Sequence, residues 1–89
     1  MTGVRIWADR DASRVYVKLA ARVDNQTFHE SFLRPMKTLG FRFDAEAVAH
    51  YVEIGEPPEW RLLLRQLEAN FEVSRLEKSE ICYWLGLDD

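Results

Sequence analysis

The sequence predicts an α+β fold: a mostly antiparallel five-stranded sheet in the order ββα-ββα-β, with two helices packed on one face. Three observations carry this. Apolar and polar residues alternate at period two in several short stretches, the mark of half-buried strands. Two longer stretches each carry one apolar stripe at helical spacing. Turn-forming residues separate these segments. Two helices with one stripe each need a shared surface to bury it, and one face of a single sheet provides it.

The first two strands are "VRIWAD" (Val4–Asp9) and "SRVYVKLA" (Ser13–Ala20). Val4, Ile6 and Ala8 share one face and match Val15, Val17 and Leu19 across a hairpin closed by "RDAS". "DNQTFHESFLRPMKTLG" (Asp24–Gly40) reads as a helix. Thr27 and Glu30 have capping-box spacing. Phe28, Phe32, Met36 and Leu39 form the stripe, and Gly40 is the stop. Pro35 removes one backbone hydrogen bond and predicts a kink or a break. A second hairpin follows: Phe41 and Phe43, the turn "DAEA", then "VAHYVEI" with Val48, His50, Val52 and Ile54 opposite Ala49, Tyr51 and Glu53. Pro57 and Pro58 open a second helix, with Glu56 and Glu59 at its positive end. Its stripe is Trp60, Leu63, Leu64 and Leu67, and Asn70 ends it. "FEVSRLE" (Phe71–Glu77) is a fifth strand. The last segment stays open between helix and strand: Ser79 can cap and Gly86 can end a helix, yet Ile81, Tyr83 and Leu85 alternate.

A chain of 89 residues makes one domain, residues 1–89. Its 47% hydrophobic and 30% charged content is that of a globular protein. The opening "MTGVRIWADRD" is too charged for a secretory signal, and no apolar run is long enough for a bilayer. With one cysteine, Cys82, no internal disulfide forms, and a cytoplasmic, reducing setting is expected. The net charge of −3 is uneven. Residues 1–42 hold eight basic and four acidic side chains; residues 43–89 hold four basic and eleven acidic ones. Such a split suits two functional faces, or a surface that is simply solvated.

If Val4, Ile6, Val15, Val17, Phe41 and Phe43 face the helices, strand parity puts Arg5, Trp7, Arg14, Tyr16, Lys18, Arg42 and Tyr51 on the opposite, open face. Rings interleaved with cations suit single-stranded nucleic acid, since bases stack on rings and cations neutralise phosphates. The plainer readings are a cross-strand aromatic pair with its edge in water, or a protein contact. A second function class is an acidic interaction or inhibitor protein, of phage or mobile-element type, docking through Glu53, Glu56 and Glu59. The apolar load of Ile81, Trp84, Leu85 and Leu87 fits packing on the domain's own helices, or a homodimer or partner contact.

From about Thr27 to Leu76 the chain resembles the HARP domain of annealing helicases. "FRFD" (Phe41–Asp44) matches its hairpin opening, "WRLLLRQLEANF" its second helix and "EVSRL" its closing strand. His50 stands where that family usually has Trp, and "AEAVA" where it favours Lys in the turn. The resemblance implies binding of structured or single-stranded DNA, with Arg42 as the carried-over basic residue.

No catalytic, cofactor or metal signature stands out, and a non-enzymatic role is expected. His29 and His50 lack metal-ligand spacing with each other or with Cys82. His50 has core-facing parity and reads as a buried, hydrogen-bonded histidine; His29 reads as solvated. Cys82 has no adjacent basic group to lower its pKa. The serines lack a nucleophile-elbow context.

Overall fold

A computed structural model describes residues 2–9, 11–53 and 57–85, without the side chains of 57, 58, 82, 84 and 85. It contains a mixed five-stranded sheet and three helices, in the order β1 (Gly3–Asp9), β2 (Arg14–Leu19), α1 (residues 25–38), β3 (Arg42–Asp44), β4 (Ala49–Glu53), α2 (Pro57–Asn70), β5 (Glu72–Val73) and α3 (Arg75–Leu85). Across the sheet the strands run β3-β4-β2-β1-β5. All neighbours are antiparallel except β1 and β5.

The expected alternation holds in β1 and β2. Val4, Ile6, Val15 and Val17 lie in a core with Phe32 and Met36 of α1, Trp60, Leu63, Leu64 and Leu67 of α2, and Ile81 of α3. The first hairpin turns on Asp9, whose Oδ1 accepts from the Asp11 and Ala12 amides at 3.1 and 3.2 Å.

Helix α1 differs from expectation at its start and middle. Its cap is Asp24, not Thr27: Asp24 accepts from the Thr27 N–H at 3.3 Å and from the Thr27 hydroxyl at 2.6 Å. The helix neither breaks nor splits at Pro35. It winds as α over Asn25–Thr27, as π over Phe28–Leu33 and as α again over Arg34–Thr38, with the Arg34 N–H reaching back to His29 O. Proline has no N–H to donate, and its ring crowds the carbonyl four residues before it. Wider winding just upstream removes that conflict. The C-terminus closes as a Schellman motif: Gly40, at φ 83°, donates to Lys37 O, and Phe41 donates to Met36 O.

The second hairpin is shorter than expected. Strand β4 begins at Ala49, and Val48 stands in the turn at φ 52°. Asp44 Oδ1 accepts from the Glu46 and Ala47 amides. Phe43 has helix-face parity but lies beyond the helices, 58% exposed. Ile54 lies outside the described residues.

The fifth strand is only Glu72–Val73, parallel to β1. Phe71 directly follows α2, its N–H bonded to Leu67 O, and is wholly buried. The final segment is a helix, and it begins at Arg75 rather than Ser79. Ser74 and Glu77 have capping-box spacing, a signal that marks this start. The Glu77 side chain goes elsewhere: Oε2 accepts from the Ile6 N–H at 2.7 Å. Strand β5 pairs with Gly3 and Val4, its Glu72 N–H also bonded to Thr2 O, and reaches no further along β1 among the described residues, so α3 covers the β1 edge where β5 has stopped. No described helix is long and apolar enough to cross a membrane.

Candidate functional site

The face of the sheet away from the helices carries one row of side chains across four strands. Register places Trp7 of β1 opposite Tyr16 of β2, Tyr16 opposite Tyr51 of β4, and Tyr51 opposite Arg42 of β3. Trp7 and Tyr16 are nearly parallel, with centroids 5.4 Å apart and planes 10° apart. Coplanar rings could not approach so closely, so the two stand up from the sheet and overlap face to face. Tyr51 follows at 6.1 Å, tilted by 45°.

The stack sorts the expected stacking residues. Tyr16 is only 8% exposed and cannot receive a base; it props the rings on either side. Trp7 is 38% exposed and ends the row, β5 having stopped at Val73. Tyr51 is half-buried, with the Arg14 guanidinium 4.4 Å from its ring centre.

The four cations divide in the same way. Arg14 is engaged: it meets Glu53 at 3.1 Å and Asp44 at 3.8 Å as well as the Tyr51 ring. The Tyr16 side chain foremost, then Glu53, hold its pKa above the ordinary value. Arg5, Lys18 and Arg42 are exposed. Arg5 and Lys18 stand directly opposite each other, beside the Trp7–Tyr16 pair, and among the described residues neither meets an acid. Like charges opposed across a strand pair destabilise it. Beside Arg42 and Tyr51, with Gly40 and Glu53, is a hollow of about 240 Å³.

The acidic patch of the second function class is described only in part. Glu53 is bound to Arg14, Glu59 is exposed in the first turn of α2, and Glu56 lies outside the described residues. The side chains of Cys82 and Trp84 and the residues Gly86 and Leu87 also lie outside. His29 is exposed, its Nδ1 2.8 Å from Asn25 O. His50 is half-buried between Phe32 and Phe43, with ring centres 5.2 and 5.3 Å away, and burial lowers its pKa. Among the described residues no three His, Cys, Asp or Glu side chains gather as metal ligands. No family model, no curated protein and no solved structure matches the chain.

Proposed function

We propose that the protein is a small non-enzymatic binding module whose open sheet face takes up single-stranded nucleic acid. The observation that carries this reading is the Arg5–Lys18 pair beside the Trp7 end of the ring row. Two opposed cations that meet no acid among the described residues form a site that a phosphate relieves, and the adjacent indole offers a base a surface to extend the stack. Arg42 supplies a third cation across the row, the position that the HARP-like hairpin implies. Arg14, bound to Glu53 and Asp44, holds the platform together instead of meeting ligand. The net charge of −3 repels phosphates at long range, so contact depends on these local cations and is weak and salt-sensitive.

The test is fluorescence anisotropy with a labelled oligothymidylate of about 15 nucleotides, a length that covers a single-stranded site of this class. With three cations engaged, log K falls against log salt with a slope of about −2. Trp7→Ala removes one stacked base, about 1–3 kcal/mol of affinity. Arg5→Ala with Lys18→Ala flattens the salt slope. Absence of saturable binding at low salt, or equal binding by wild type and Trp7→Ala, refutes the reading.

A further inference from the structure

The helix side of the sheet holds a second feature, which the reading above does not use. Where β2 runs past the tip of the β3–β4 hairpin, a groove of about 440 Å³ opens between the sheet and α1. Phe28 and Phe32 line it from α1 and Phe43 and Val48 from the hairpin; Arg22 is the charged residue along it that the open face does not use, and among the described residues no acidic residue lines it. Two of these walls are unusual. Phe43 is 58% and Val48 56% exposed, although both are apolar. Val48 also adopts φ 52°, a left-handed conformation that a β-branched residue takes only under strain and that glycine or asparagine takes readily. The chain thus keeps an exposed apolar side chain at a position where its backbone resists one.

The backbone beside the groove is also available. Paired strands alternate between hydrogen-bonded and non-bonded positions. Ala20 N donates to Gly3 O, so β2 turns Val15 and Val17 toward β4. Strand β4 in turn presents Ala49 and Tyr51 to β3, and the N–H and C=O of Phe43 point off the free edge of the sheet. A residue pairing there from another chain would place its side chain on the Phe43 side, toward the groove.

We propose that this groove docks an extended acidic segment of another protein. An apolar side chain of that segment enters between Phe28, Phe43 and Val48, and a carboxylate beside it meets Arg22. Charge selects this occupant: on this side of the sheet the described lining carries Arg22 and no acid, so an anionic segment is drawn in and a basic one is repelled.

The test is selection of linear random peptides displayed on phage against the immobilised full chain, followed by anisotropy with the leading synthetic peptide. Enriched peptides should share an apolar residue flanked by Asp or Glu. Phe43→Ser should weaken binding about tenfold or more, the factor that one buried apolar side chain contributes. Val48→Gly should weaken it while raising the unfolding midpoint, which separates a lost wall from a lost fold. Arg22→Glu should abolish preference for acidic peptides, and oligothymidylate binding by Val48→Gly should stay at the wild-type level. No enrichment over a bare surface, enrichment of peptides without acids, or binding by Phe43→Ser and Val48→Gly at the wild-type level overturns the proposal. So does sedimentation showing a wild-type dimer that Phe43→Ser makes monomeric, because the occupant would then be a second copy of the chain.

Discussion

Replacing Glu77 with alanine tests how the sheet is closed at β1. Among the described residues no strand pairs with this edge beyond Val4, and the Ile6 N–H is met by Glu77 Oε2 at 2.7 Å. A hydrogen bond to a charged group contributes about 1.5–3 kcal/mol. Glu77 is half-buried, so water recovers part of the loss in the variant. The expected cost is therefore at the lower end, about 1.5 kcal/mol. In urea, with a slope of about 1 kcal/mol/M, the midpoint falls by about 1.5 M. The thermal midpoint falls by roughly 6–12 °C for a domain of this size. Glu77→Gln keeps a neutral acceptor at the same reach and should lose about half as much. Amide hydrogen exchange at Ile6 should accelerate in the alanine variant and less in the glutamine variant. An alanine variant within about 0.5 kcal/mol of wild type, the ordinary range of a surface substitution, would refute the reasoning. So would a glutamine variant no better than alanine.

Two further outcomes follow from local geometry. Gly40→Ala puts a side chain on a residue at φ 83° with nothing within 4 Å of the new Cβ, so its cost is backbone strain alone. Urea titration should give a loss of about 1–2 kcal/mol, and no loss would contradict the Schellman closure. His50 is held neutral by burial, its pKa below the ordinary 6.5. The unfolded chain then takes up the proton first, so stability is unaffected above that value and declines as pH falls from it toward the lower folded pKa. Urea midpoints between about pH 7.5 and pH 5 should fall more for wild type than for His50→Phe, and parallel curves would show that His50 burial does not matter.

What the sequence made legible was periodic and local. The β1–β2 parity, the Trp60–Leu67 stripe and the Gly40 stop each depend on residues a few positions apart, and the structure has them as expected. The Asp24 cap was missed because Thr27 and Glu30 present the same spacing one turn later. The start of α3 was missed although Ser74 and Glu77 carry a capping signal, because Phe71, Val73 and the alternation around them suggest a longer strand. The direction of β5 was not legible, since it depends on where α2 delivers the chain. The open face follows from parity, but its division into engaged and exposed cations does not. Arg14 meets Glu53 and Asp44 only because β4 lies between β2 and β3, a matter of long-range register. The exposure of Phe43 likewise depends on how far the helices extend over the sheet.

The π-wound stretch of α1 ties chain length to Pro35. A π turn holds one residue more than the α turn it replaces, taken up without turning the helix on either side. Loss of a single residue between Phe28 and Leu33 would return the backbone to uniform winding and force the carbonyl four residues before Pro35 against the proline ring. That deletion suits a chain with alanine at position 35 and not one with Pro35. Spacer and imino acid thus form a matched pair, and variants of this helix must gain or lose both together.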